Sequence, residues 1–262
     1  MEENIIKDIQ GKTLANLPYE IDNIFIFPLS LKEIMQVSEK KYYYYLKILT
    51  ITAKDLLNIS DELDEKEIET IQKLNNFDTL MINFCTNTIF QKNILEAFSL
   101  FLCKDKEKAH FISDGKEMYF YIGEKKNNKI INRKNFDDIV KVIKIQNSIE
   151  YDEKKYNPTN KNVGKFIKRL NKLKKKTEEI KAKNGNSFEL LDLVSILASK
   201  GNGLNIINIW DLNMYMFKDQ LTRLQLNENY SIQKYLLGNS FAGASIDLKN
   251  NTYFCKIKNK YY

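Results

Sequence analysis

His110 is the only histidine in the chain, so it is the only imidazole that could act as a general base near neutral pH. A single imidazole also excludes metal sites built from several histidines. No serine lies in a Gly-x-Ser-x-Gly pattern, and Gly201-Asn-Gly203 lacks the Lys-Ser/Thr pair that follows in a phosphate-binding loop. No pattern therefore predicts a catalytic or cofactor-binding site, and we expect a protein that is not an enzyme.

Two further groups of residues have side chains that metals use as ligands. The run Asp61–Glu67 is rich in carboxylates, but it lacks the spacing and the central glycine of a calcium loop, which favours a solvated helix or loop. Cys85, Cys103 and Cys255 are odd in number and far apart, which excludes a disulfide framework and a zinc site. We expect buried free thiols and no bound metal or cofactor.

The strongest charge pattern lies in residues 161–183, where ten Lys or Arg residues accompany two Glu. Residues 104–183 hold 23 basic and 12 acidic side chains, a net charge of +11, whereas the whole chain carries +7, which leaves −4 for the rest. The spacing of Val163, Phe166 and Leu170 predicts a basic amphipathic helix. Its candidate partner-binding residues are Lys165, Lys168, Arg169, Lys172, Lys175 and Lys176.

Three interpretations of the basic helix remain open: it binds nucleic acid, it binds an acidic protein surface, or it is simply solvated. The charge supports an anionic partner. However, aromatic side chains do not alternate with the lysines as a base-stacking surface requires. Frequent Lys, Asn, Ile and Tyr also follow from the codon usage of a low-GC genome.

The overall composition is that of a folded protein, with 262 residues, 43% apolar content, 15 Phe and 15 Tyr. No apolar run approaches the roughly 20 residues of a membrane span. The N-terminus lacks the pattern of a signal peptide. We therefore expect a cytoplasmic protein without membrane contacts.

The first 103 residues are predicted to be mainly helical. Residues 1–27 read as an extended lead-in that ends in the strand Asn23–Phe27. Ser30 and Glu33 form a capping box, which opens a helix that runs to about Leu49. Within this helix, the four tyrosines 42–45 are expected to pack in the core. Farther on, Phe77–Leu102 predicts two helices with a break near 86–88.

Residues 104–159 predict a small α+β insert. Met118–Ile122 alternates like a strand and can pair with Lys129–Ile131. Asn135 can cap a following helix that buries Phe136. The polar residues 151–160 then form the connector to the last region.

Residues 160–262 predict a C-terminal helical region that includes the basic helix. A helix is expected over Phe188–Ser199, and a second one starts at Asn208, with its buried stripe formed by Trp210, Met214, Phe217, Leu221 and Leu224. A further helix should run from Ser231 to Leu237. Beyond Gly238–Gly243, a closing hairpin is expected about Asn250. The fold class is therefore α+β, mostly α-helical, with a small β-hairpin insert and a C-terminal hairpin.

Several stretches resemble tail-morphogenesis proteins of bacteriophages that infect low-GC Gram-positive bacteria. They are Pro28–Ile34 with Lys41–Leu46, then Asn135–Asn147, and finally Ile209–Leu224 with Gly243–Lys249. The third stretch departs from the family at two positions, since Thr is expected at Asn213 and Gln at Met216.

The resemblance implies a viral assembly or structural role, because its motifs indicate packing and helix capping rather than catalysis. It implies a tail assembly chaperone, of the kind thought to coat the tape-measure protein in the host cytoplasm. The implied partners are tail or other virion proteins, and self-association is left open. A structural virion component of the baseplate, neck or tail is one alternative, and a nucleic-acid-binding protein that uses 161–183 is another.

Overall fold

The computed structural model describes residues 2–53, 73–104, 107–113, 117–124, 129–149, 189–200 and 203–238. Four predicted segments lie outside these residues: the acidic run 61–67, the connector 151–160, the basic helix 161–183 and the C-terminal hairpin about Asn250. Cys255 also lies outside them.

The described residues form an α+β fold that is mostly helical, as predicted. The helices are α1 (Glu2–Leu14), α2 (Leu31–Val37), α3 (Glu39–Thr50), α4 (Asn76–Thr86), α5 (Thr88–Leu102), α6 (Phe136–Gln146), α7 (Leu190–Lys200) and α8 (Met214–Gly238). The strands are β1 (Tyr19–Ile21), β2 (Ile24–Ile26), β3 (Ala109–Ser113), β4 (Met118–Ile122) and β5 (Ile130–Ile131). They form two antiparallel sheets, β1-β2 and β3-β4-β5.

The chain divides into two compact units. Of the described residues, the first unit contains those up to 149 together with 210–219. The second unit contains 189–200, 203–209 and 220–238. The predicted boundaries at 103/104 and 159/160 stay predictions.

The first half of the predicted extended lead-in is wrong, because it forms helix α1. Ile6, Ile9 and Thr13 are buried at spacings of three and four, which places them on one helical face. The helix ends where Asn16 adopts a left-handed φ of +56° and the Leu17 amide donates to the Lys12 carbonyl. The hairpin β1-β2 follows and contains the predicted strand.

The capping box at Ser30 is confirmed. The Glu33 amide donates to the Ser30 hydroxyl, and the Ser30 amide donates to the Glu33 carboxylate. The single helix predicted to Leu49 is wrong, because Ser38, with φ of +77°, divides it into α2 and α3. The expectation that all four tyrosines pack in the core is wrong for Tyr43 and Tyr44, which are exposed. Tyr42 and Tyr45 are buried, because residues three apart lie on the same face of a helix.

The predicted break between α4 and α5 is confirmed, and the Asn87 side chain caps α5 by accepting from the amides of Ile89 and Phe90. Aromatic side chains from these helices, β4 and α6 form the core of the first unit. The rings of Phe84 and Phe98 each lie 5.0 Å from that of Phe120. Such edge and tilted contacts add to the burial of apolar surface. The members are Phe77, Phe84, Phe98, Phe120 and Phe136.

The predicted pairing of Met118–Ile122 with Lys129–Ile131 is confirmed by the β4-β5 ladder. The strand β3, which pairs with the other edge of β4, was not predicted. Asn135 holds the N-cap position of α6 as expected, but its side chain does not cap the helix. Its amide group donates instead to Asp22 and to the Ile130 carbonyl.

The predicted helix at Phe188–Ser199 corresponds to α7, whose Leu190, Val194 and Leu197 are buried. Leu191, on the same helix, is exposed. The separate helix predicted from Ser231 is wrong, since α8 is continuous from Met214 to Gly238.

The prediction that Trp210 lies in the buried stripe of the last helix is wrong, because Trp210 is outside that helix. It lies half-buried in a 3-10 turn, Ile209–Asp211, and α8 begins at Met214. The cap is not Asn208 but Asn213, whose side-chain oxygen accepts from the Met216 amide. Met214 and Phe217 are buried as predicted, whereas Leu221 and Leu224 are only half-buried.

Candidate contact surfaces

The predicted partner-binding side chains all lie outside the described residues. They are Lys165, Lys168, Arg169, Lys172, Lys175 and Lys176. The candidate surfaces among the described residues therefore lie on other parts of the chain. Sequence reasoning did not single out any of them as a site.

The thiols are less buried than expected. Cys85 is exposed and Cys103 is half-buried, and both are free. Burial raises the pKa of Cys103 to about 11, although a hydrogen bond with Ser99 opposes the change. The Cys103 thiol therefore stays protonated near neutral pH and is a poor nucleophile. Within the described ranges, no group of three or more His, Cys, Asp or Glu side chains could hold a metal ion.

Buried polar side chains join the end of α6 to α3 and to the start of α8. The Tyr42 hydroxyl donates to Asn147 Oδ1 at 2.6 Å, and burial raises the pKa of Tyr42 so that it remains a donor. Lys218 Nζ donates to the carbonyl oxygens of Asn147 and Ser148 at 2.9 and 3.3 Å. Burial lowers the pKa of Lys218. This network fixes three elements against one another, which is a structural role.

A second polar group lies at the surface between α3 and α5. The Tyr45 hydroxyl donates to Glu96 Oε2, and Lys41 Nζ lies 2.9 Å from the same oxygen. The hydrogen bonds from Tyr45 and then Lys41 lower the pKa of Glu96. The carboxylate is thereby kept ionised, and its partners leave it little capacity to bind another group.

The three-stranded sheet has an open cavity on either side of His110. One, of about 720 Å³, contains three lysines and two phenylalanines; the other, of about 540 Å³, is mainly aromatic and aliphatic. The first is lined by Phe25, Phe27, Leu102, Lys104, Glu107, Lys108, His110, Gly123, Glu124 and Lys129. The second is lined by Phe84, Cys85, Gln91, Leu95, His110, Phe111 and Tyr121.

The turn Gly203–Asn208 presents two isoleucines to solvent. Ile206 is 57% exposed and Ile207 is 83% exposed. Asparagine side chains fix the backbone on both sides of this pair. The Asn205 side chain accepts from the amides of Ile207 and Asn208, and Asn208 Oδ1 accepts from the Asn205 amide at 2.8 Å. Asn208 Nδ2 also donates to the Gly203 carbonyl at 2.9 Å. The turn is thus a preorganised apolar projection.

The signal for this turn is present in the sequence Asn205-Ile-Ile-Asn208. Two asparagines bracket two large apolar residues, and asparagine side chains commonly form hydrogen bonds with the backbone two or three residues away. Asn208 also suits the start of a helix, as predicted above, and that interpretation conceals the turn.

Comparison with known proteins gives a similarity over the region that contains this turn. Residues 175–258 match the family model described as YomV second domain, which is phage-derived. No curated protein and no solved structure matches the chain. Among the residues that the structure describes, no helix has the length and apolarity of a membrane span. The similarity is consistent with a phage protein of low-GC Gram-positive bacteria.

Proposed function

We propose that this chain is a non-enzymatic phage tail assembly factor that acts by protein–protein contact in the host cytoplasm. The phage origin is supported by the similarity of residues 175–258 to the YomV second domain. The tail-assembly role is supported by the resemblance of the three sequence stretches to tail-morphogenesis proteins. Its partner is a tail protein, with the tape-measure protein as the first candidate.

The observation that carries the proposal is the exposure of Ile206 and Ile207 on a turn held by side-chain hydrogen bonds. Burying one such side chain in a partner contributes on the order of 1.5–3 kcal/mol. Because the Asn205 and Asn208 side chains already fix the backbone, binding loses little conformational entropy there. A preordered apolar pair is therefore a suitable anchor for a contact with another protein.

The described cavities also suit a binding protein better than an enzyme. Both cavities beside His110 are open, whereas catalysis benefits from a site that excludes water. An assembly factor needs an accessible surface, and the isoleucine turn supplies one. The basic residues 161–183 remain a second proposed contact, for an acidic surface on the same partner.

Deletion of the gene from its phage is the first test of the proposal. We expect filled heads without tails in electron micrographs, because tail formation would lack the factor. Complementation with the intact chain should restore the tails. Normal tails after deletion would contradict a role in tail assembly.

Mass spectrometry of purified mature virions distinguishes an assembly factor from a structural component. We expect the protein to be absent from virions and present in the lysate of infected cells. Detection in virions at the copy number of a baseplate, neck or tail protein would replace the chaperone proposal with the structural alternative.

A further inference from the structure

We propose that the β3 edge of the three-stranded sheet, around His110, binds a nucleotide unit, a planar base with its phosphate, either free or within a single strand. This inference goes beyond the protein contact proposed above and does not depend on it. It rests on an aromatic stack, the two cavities beside it and the charges in one of them.

The register of the sheet creates the aromatic surface. His110 lies opposite Tyr121, and Ile112 lies opposite Tyr119, so these four side chains share one face of the antiparallel pair. Phe120 belongs to the other face, where it is buried in the core. His110 and Tyr121 therefore lie outside the core, where they can meet a ligand.

His110 and Tyr121 already form a parallel stack. Their ring centroids are 4.9 Å apart, and the angle between the ring planes is 19°. His110 is exposed. A base can extend this stack, because every base offers a flat aromatic surface regardless of its sequence identity. This parallel geometry favours a nucleobase over an acidic peptide, whose carboxylates have no such planar ring to stack.

The two cavities meet at His110 and differ in the chemistry that they offer. The cavity with Leu95, Phe111 and Tyr121 is open, so one face of a base can lie against it beside His110, and Gln91 supplies an amide group for the polar edge of the base. The cavity on the other side contains Lys104 and Lys108. The two open cavities have volumes of about 540 and 720 Å³, which leaves room for a base and for a phosphate.

The charges in the lysine cavity leave two cations for a phosphate. Glu107 is held by Lys129, with 2.7 Å between its Oε1 and the Lys129 Nζ. The other carboxylate, Glu124, also has an interaction partner. In the part of the chain that the structure describes, no ion pair involves Lys104 or Lys108. Lysine ammonium groups bind phosphate as point charges.

The test uses the full chain and fluorescence anisotropy with a labelled single-stranded oligothymidylate. We expect His110→Ala and Tyr121→Ala each to weaken binding by about fivefold or more, the loss typical of one stacked base. Tyr121→Phe keeps the ring and should retain binding. His110 is exposed, so its variant also separates lost binding from a folding defect. Thermal melting checks that each variant is folded.

The lysines are tested by salt dependence. We expect the double variant Lys104→Gln, Lys108→Gln to lower the slope of log affinity against log salt by about 0.7 for each lost phosphate contact. Lys32→Gln, an exposed substitution on α2, is the matched control and should leave the slope unchanged.

Competition with thymidine monophosphate identifies the source of the ligand. Displacement of the oligonucleotide assigns the site to a free nucleotide, and its retention assigns the site to a single strand. Two results would overturn the proposal. One is binding that is unchanged in both the ring and the lysine variants, which would place the contact elsewhere in the chain. The other is displacement only by an acidic, aromatic peptide, which would make the face a protein-binding site.

Discussion

Asparagine side chains connect buried elements in the first unit, whereas in the second they hold a surface turn. Asn147 and Asn213 are buried and bond to groups on other elements, including the Tyr42 hydroxyl and the Thr13 carbonyl. Asn205 and Asn208 are exposed, and their side chains form hydrogen bonds with backbone groups of their own turn. The same amide chemistry thus stabilises a core in one unit and shapes a projection in the other.

The burial of apolar side chains also differs between the two units. The first unit buries a group of phenylalanine rings in mutual contact. Nine large apolar side chains of the first unit are exposed, whereas the second unit exposes five among far fewer described residues. Those five are Leu191, Ile206, Ile207, Ile232 and Tyr235. Different residues therefore stabilise the fold and offer a contact surface to a partner. Substitutions in the buried core of the first unit should destabilise the protein, and those on the turn should affect binding alone.

The largest expected loss of stability comes from Phe98→Ala. The side chain is fully buried and lies 5.0 Å from Phe120, so its removal leaves a cavity in the aromatic core. We expect a loss of about 3–5 kcal/mol in the free energy of unfolding, measured with urea. Ile89→Ala is the control, since Ile89 is 72% exposed, and it should cost less than about 0.5 kcal/mol. Equal losses would remove the distinction between core and surface.

Asn213→Ala should cost about 2 kcal/mol, because it removes the cap of α8 and the hydrogen bond to the Thr13 carbonyl. Asn213→Ser can still accept from the Met216 amide, so we expect roughly half of that loss. Thermal unfolding of the two variants measures the difference. If both lose the same amount, the cap contributes nothing and the bond to α1 accounts for the whole effect.

Tyr42→Phe tests the buried hydroxyl alone. The substitution leaves Asn147 Oδ1 without the 2.6 Å bond from Tyr42 in a buried position, which should cost about 1–2 kcal/mol. Tyr44→Phe removes a hydroxyl from the partly exposed neighbour and should change stability by less than about 0.5 kcal/mol. If Tyr42→Phe leaves the free energy of unfolding unchanged, the network does not stabilise the fold.

A smaller change in stability is expected when the pH alters the ionisation of Glu96. The Tyr45 hydroxyl, and then Lys41, lower its pKa from the ordinary 4.5, so folding favours the ionised carboxylate. The resulting stability is present above the ordinary pKa and is lost as pH falls through the lowered one. Partial exposure limits it to less than about 1 kcal/mol. Glu96→Gln should flatten this acid dependence in urea titrations, whereas Glu20→Gln, on β1, should preserve it.

Local signals predicted much of the fold. Ser30 and Glu33 specify their cap within four residues, and the alternation of Met118–Ile122 specifies a strand, because both depend on neighbours in sequence. Strand β3 was missed because its pairing with β4 is visible only once the partner is placed. The division at Ser38 was missed because a left-handed φ is usual for glycine rather than serine.

Trp210 shows the limit of helical spacing as an argument. Its spacing in sequence from Met214 and Phe217 suits a helical stripe. However, the Asn213 side chain caps α8, so the helix begins only after Trp210. Periodicity therefore predicted the buried residues Met214 and Phe217 correctly and placed the helix start wrongly. The isoleucine turn was missed for a related reason, since Asn208 fits a cap and a turn equally well by sequence alone.

The claim that the isoleucine turn binds the assembly partner is tested most directly by two variants. One is the double variant Ile206→Ser, Ile207→Ser, and the other is Ile89→Ser. Both change exposed isoleucines, and the Ile89 side chain is 72% exposed. Each gene is supplied to a phage that lacks it, and tails are counted by electron microscopy after urea unfolding has shown equal stability. We predict that the turn variant yields tail-less heads while Ile89→Ser restores tails. Normal tails with the turn variant would contradict the claim that this turn binds the assembly partner.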